Sequence, residues 1–244
     1  MQVEALSVEL RSRPMWEAAD LGVRLVQANA ASVWRTVTPV MLGLLMLLMP
    51  LFWVKSWLPL LLLFWLKPWL DRSILFVLAR AIFGQPTRFR DLWQAQRSVW
   101  WGSLVLTLVV KRLSLWRSFT QPIEQLEHQR GTSRRQRARL LMSGQRGYGF
   151  GLQGMFYKLE VLCGLSLLGL AIHFAPEGGA RDIWKWLMNS GPSGSAEIFQ
   201  FLAYSGLVLL LEPFFVAAGF AMYINRRVEL ESWDIEQEFR RAFA

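Results

Sequence analysis

Glu212 is the residue in this sequence with the most demanding chemistry. It is the one Asp, Glu, Lys or Arg between about Phe199 and Tyr223, a run long enough to cross ~30 Å of bilayer hydrocarbon at 1.5 Å per residue. An ionised carboxylate at mid-span costs roughly 2.5–3.5 kcal/mol on insertion scales, so Glu212 must be paired, face water or hold a proton. Pro213 follows it and removes a backbone donor, which loosens the helix locally. Antiparallel packing of the last two apolar runs brings Glu212 near Cys163 and Glu160. Two carboxylates that close raise at least one pKa unless a cation such as Lys158 or Arg72 reaches in. Glu212, Pro213 and Glu160 thus form a candidate intramembrane polar site with two readings. In the structural one Glu212 holds the bundle together by hydrogen-bonding backbone groups freed near helix breaks; in the functional one it responds to a proton or cation.

The remaining polar residues offer less chemistry. His128 lies in a charged stretch and His173 at the end of an apolar run, too far apart to share a metal, and the single cysteine, Cys163, allows neither an intrachain disulfide nor a cysteine metal cluster. No nucleophile has a base at usable spacing, so no catalytic, cofactor or metal residue is assigned. The glycines of Gly147–Gly154 have no preceding strand and no following Lys-Ser/Thr, which makes the stretch a flexible entry into the next helix and not a phosphate loop. Arg134, Arg135, Arg137 and Arg139 form a basic cluster suited to anionic lipid headgroups. It has no accompanying aromatic platform or nucleic-acid motif, so nucleic acid is not an expected partner.

These residues need helices to position them. The sequence is 53% hydrophobic with 13 Trp and a net charge of +9, and its apolar residues fall in long runs, as in an all-α polytopic membrane protein. Residues 1–35 lack the basic-then-apolar order of a cleavable signal and read as a cytosolic amphipathic helix with Trp16, Ala19, Val23, Val26, Ala30 and Val33 on one face. Residues 36–70 form a transmembrane hairpin. Its first span, Thr36 to Val54, is bracketed by Trp34 and Trp53, with Pro39 and Pro50 expected to kink it. The second, Leu58 to Leu66, is short unless Lys67, Asp71 and Arg72 snorkel to the headgroups, and Pro68 is expected to end it. Residues 71–150 read as cytosolic or interfacial basic helices, one from Ser73 to Phe83 stopped by Gly84 and the next capped by Thr87, with a possible re-entrant segment at 99–110. Residues 151–223 form a second transmembrane hairpin, about four spans in all, whose small residues (Gly164, Ala203, Ala217, Ala218 and Gly219 among them) permit close packing. Residues 224–244 are a cytosolic helix with i,i+4 pairs Arg227–Glu231 and Glu236–Arg240. Its Trp233, Ile235, Phe239 and Phe243 are candidate partner-binding residues.

On this topology every Lys and Arg except Lys55, Arg181 and Lys185 falls on one side. The positive-inside rule then puts both termini in the cytosol.

Several stretches resemble a family of uncharacterised bacterial inner-membrane proteins. They are Arg13-Pro14-Met15-Trp16-Glu17-Ala18-Ala19-Asp20-Leu21-Gly22, Leu66-Lys67-Pro68 with Asp71-Arg72, Arg80-Ala81-Ile82-Phe83-Gly84, Arg112-Leu113-Ser114 with Arg117-Ser118-Phe119, Gln125-Leu126-Glu127, and Glu212-Pro213 through Arg241. Such proteins are similar to the membrane-embedded first half of longer polypeptides that continue into a transglutaminase-associated segment, and their genes lie beside those of MoxR-type AAA+ ATPases. The present sequence stops at Ala244, so no role of that continuation carries over. The resemblance implies a non-catalytic inner-membrane subunit or scaffold of a multi-protein assembly, possibly one serviced by such an ATPase, with lipids and other subunits as partners. The alternative is a transporter or channel subunit with Glu212 in a polar pathway.

Overall fold

A computed structural model describes residues 13–102, 114–174 and 195–231, together with 108, 184 and 185. Every regular element among them is helical. In order they are α1 (Met15–Ala28), α2 (Ala30–Leu48) extended by a 3-10 turn (Met49–Trp53), α3 (Leu58–Ala81), α4 (Phe89–Gln94), a π-turn (Arg97–Trp101), α5 (Arg117–Gln125), α6 (Gly131–Met142), α7 (Arg146–His173) and α8 (Ser195–Glu231).

The 37-residue α8 is the axis of the bundle: α1, α3, α5 and α7 all pack along it, and α2 packs on α3. Among the described residues two segments, 30–53 and 197–231, are long and apolar enough to cross a membrane, where the sequence suggested four. Each long helix carries exposed apolar side chains, among them Met46 74% and Leu47 71% exposed on α2, Leu61 and Phe64 on α3, Leu162 and Leu165 on α7, and Phe199 and Leu202 on α8. Beyond Phe214 the pattern reverses, and Phe215 to Phe220 of α8 are buried without a break.

Small residues let that lower half of α8 be enclosed, and its partners are not those expected. A Cβ on Gly22 of α1 would lie 2.7 Å from the Ala218 backbone nitrogen, and one on Gly219 would lie 2.7 Å from the Ser118 carbonyl carbon of α5. Ala217, Ala218 and Gly219 therefore admit α1 and α5. Against α7, a Cβ on Gly164 would meet only Leu207 at 3.8 Å. The buried face of α1 is accordingly Met15, Ala18, Ala19, Gly22 and Val26, whereas Trp16 is 44% exposed and rests edge-on against Tyr148.

Three local expectations are corrected. Helix α3 runs through Pro68 for 24 residues: one lost backbone hydrogen bond is outweighed by burial of Leu70, Ile74, Leu75 and Leu78 beyond it. Residues 147–154 lie inside α7 as ordinary helix. Gly149 and Gly151 leave room there for aromatic rings, since their Cβ atoms would lie 2.7 Å from Trp116 and 3.3 Å from Trp16. Thr87 does not cap α4. The Asp91 carboxylate accepts from the Arg88 N–H at 2.9 Å, and Thr87 instead ties the hairpin to α2, its carbonyl accepting from Ser32 at 3.0 Å and Thr36 at 3.1 Å. Gly84, at φ 67°, does stop α3. Of segment 99–110, residues 99–101 end the π-turn and most of the rest lies outside the described residues, as do Trp233, Ile235, Phe239 and Phe243.

Candidate functional site

The polar site is built on a helix spacing in α3. Lys67 and Asp71 are four residues apart and so share a face, which a straight run through Pro68 turns inward toward α8. There the Lys67 ammonium donates to Glu160 of α7 at 2.9 Å and pairs with Glu212 of α8 at 2.8 Å. Arg117, the first residue of α5, pairs through Nε with Asp71 at 3.0 Å and donates through Nη2 to the other oxygen of Glu212. Aromatic faces wall the cations in: Tyr204 lies 5.9 Å from the Lys67 ammonium and Phe215 5.0 Å from the Arg117 guanidinium. Lys67, Asp71, Arg117 and Glu212 are all buried; Glu160 is half-buried and faces a cavity of about 370 Å³ also lined by Lys67, Arg117, Gln153 and Tyr157.

Glu212 and Glu160 thus meet as expected, across one ammonium, and Pro213 is buried beside them. The cations differ from the expected ones. Lys158 is exposed, and Arg72, one residue past Asp71 and so about 100° round α3, meets a different set of partners. It donates to the Ser98 carbonyl at 3.0 Å and to the Val99 carbonyl, and pairs with Glu124 at 3.3 Å. Glu212 pairs with the two cations, where the sequence suggested that it would bond backbone groups freed near helix breaks. Lys67, Asp71 and Arg72, placed at the headgroups by the sequence, are interior residues, since pairing inside the bundle satisfies them without snorkelling. The sequence reading missed Lys67, Asp71 and Arg117 as site residues. The available signal was an i,i+4 Lys and Asp within an otherwise apolar helix, facing a lone Glu in another.

The arginine cluster divides. Arg137 bonds Glu127 at 2.9 Å and also reaches Glu231 of α8, and Arg134 approaches Glu124 at 3.8 Å. Burial works against the Arg137 charge, but hydrogen bonds to Glu127 and Glu231 more than offset it and raise its pKa. Only Arg135 and Arg139 of the four are exposed. The same network holds Arg227 to Glu231 at 2.7 Å, the i,i+4 pair read from the sequence, and Tyr223 donates to Glu127 at 2.5 Å. Asn225 then ties α8 to the chain entering α1, exchanging hydrogen bonds with the Arg13 backbone at 2.8 and 3.0 Å.

Among the described residues no group of three or more His, Cys, Asp or Glu is placed to hold a metal ion. Each carboxylate of the buried cluster is paired with a cation, an arrangement that ties four helices together. The chain matches no family model, no curated protein and no solved structure.

Proposed function

We propose that this chain is a non-catalytic integral subunit or scaffold of a multi-protein assembly in the bacterial inner membrane, crossing it four times through α2, α3, α7 and α8 with both termini in the cytosol. The observation that carries this reading is the closed cluster Lys67–Glu160–Glu212–Arg117–Asp71. Polar groups inside a membrane protein are expensive and by default mark transport or catalysis. Here they come from four different helices and pair with one another by charge, which is the chemistry of an internal lock. The exposed apolar side chains of α7, including Leu162, Leu165 and Leu170, suit a lipid-facing helix, and exposed Arg135 and Arg139 suit anionic headgroups on the cytosolic side. Resemblance to proteins encoded beside MoxR-type AAA+ ATPases makes such an ATPase the first partner to seek.

The test is purification of the full-length chain in mild detergent with identification of co-purifying proteins. A subunit brings defined partners at fixed stoichiometry; recovery of a lone protein that supports ion or solute flux in vesicles would overturn the reading. One observation favours a transporter or channel instead, namely the 370 Å³ cavity that reaches Lys67, Arg117 and Glu160. In that case Glu212→Gln would leave the protein folded and abolish flux.

A further inference from the structure

Above the Lys67–Glu160 pair, α3 and α7 diverge on either side of α8 and leave a cleft of about 770 Å³. Its walls are Leu60, Phe64, Val161, Gly164, Ala203 and Leu207, with Trp57 and Phe199 toward the Lys55 end. Two small residues set its width, since Gly164 on α7 and Ala203 on α8 place no large side chain in it. Its rims are exposed apolar residues, Leu61 and Phe64 on one side and Val161 and Leu167 on the other. The cleft therefore opens sideways onto the same belt of side chains that meets lipid if these helices span the membrane.

We propose that this cleft binds one phospholipid from the leaflet on the Lys55 side, an acyl chain lying between α3 and α7 and the phosphate near Lys55. The proposal rests on the membrane-spanning reading above. Depth favours a lipid over a partner's transmembrane helix. From Trp57 to Phe64 the wall of α3 rises about 10 Å, and from Leu168 to Glu160 that of α7 rises about 12 Å, against ~15 Å for one leaflet of hydrocarbon and ~30 Å for a crossing helix. The floor agrees, because an alkyl chain can end against a neutralised ion pair. A partner helix continuing past it would run onto the cavity that exposes Lys67, Arg117 and Glu160. Volume agrees as well, lying within the roughly 300–1,000 Å³ typical of small-ligand sites. Lys55 is exposed two residues before Trp57, which lines the cleft, and a positive charge so close along the chain suits a phosphate.

Native mass spectrometry of the full chain extracted in mild detergent should find one retained phospholipid per chain. A phospholipid with a photoreactive diazirine at its chain end should label Phe64, Val161 or Leu207 in preference to Met46 and Leu47, which are exposed on α2 and do not line the cleft. Gly164→Leu fills the cleft where a Cβ meets nothing closer than 3.8 Å, so the protein should fold normally. It should retain about tenfold less lipid, with Lys55→Glu lowering retention too and Met46→Phe leaving it unchanged. Labelling spread evenly around the belt, undiminished retention in Gly164→Leu, or crosslinks from a photoreactive residue at position 203 to another protein would each overturn the proposal. A chain released from membranes by alkaline carbonate would instead defeat the membrane reading itself, a separate outcome.

Discussion

Removing Lys67 should harm the protein more than removing Glu212, the residue that looks more conspicuous in the sequence. The buried cluster holds three carboxylates and two cations, and Lys67 serves two of the three, Glu160 at 2.9 Å and Glu212 at 2.8 Å. Lys67→Met leaves Glu160 without that partner and Glu212 with Arg117 alone. Breaking a buried pair by removing one member costs about 3–5 kcal/mol. At roughly 2–4 °C per kcal/mol for a chain of this size, melting falls by about 6–20 °C. Glu212→Leu removes an acceptor but leaves Lys67 on Glu160 and Arg117 on Asp71 at 3.0 Å, so about 1–3 kcal/mol is expected. Glu212→Gln, which keeps one acceptor oxygen, should cost less again. Lys67→Met combined with Glu160→Gln removes the stranded charge and should recover part of the loss, with a coupling of about 1–3 kcal/mol. The assay is fluorescence-detected size exclusion of detergent-solubilised protein after heating. Lys67→Met melting within about 2 °C of the parent, or a double variant no better than the single, would refute the lock.

Three further outcomes are expected. Gly22→Val should push α1 off α8 at Ala218 at a cost of about 1–3 kcal/mol, seen as faster trypsin cleavage at exposed Arg24; unchanged cleavage would mean that the close approach is dispensable. Arg72→Lys should destabilise by about 2–3 kcal/mol, because an ammonium cannot span Glu124 and the Ser98 and Val99 carbonyls together, and it should loosen the π-turn and speed trypsin cleavage at the exposed Arg97. Arg135→Glu with Arg139→Glu should leave melting unchanged while weakening attachment of the cytosolic face to anionic vesicles by about 1 kcal/mol per residue. Arg137→Ala should instead cost at most about 1 kcal/mol of stability, less in high salt.

Helical class and the positions of the long apolar runs were readable because composition and run length report them directly. Gly84 as the end of α3 and the Arg227–Glu231 pair were readable because each depends on a few neighbouring residues. The meeting of Glu160 and Glu212 followed from antiparallel order alone. What sequence could not give was the interior of the cluster. Lys67 and Asp71 follow a short apolar run at a proline, the pattern of a helix end at the headgroups, and only the packing of α3 residues 70–78 in the core carries the helix on and turns both side chains inward. Arg117 sits in a basic stretch that local reading makes solvent-facing, yet every residue from Arg117 to Glu124 is buried because α5 lies against α3 and α8. The glycines at 149 and 151 likewise look like loop residues until Trp116 and Trp16 are seen against them.

Topology mapping tests the central claim, a four-span bundle locked by charges from α3, α5, α7 and α8, most directly. Paired reporters, one active only outside the cytosol and one only inside, can be fused after Lys55, Gly144, Ser190 and Ala244. The account expects outside signals at Lys55 and Ser190 and inside signals at Gly144 and Ala244. An outside signal at Gly144, or an inside signal at Lys55 or Ser190, would contradict it.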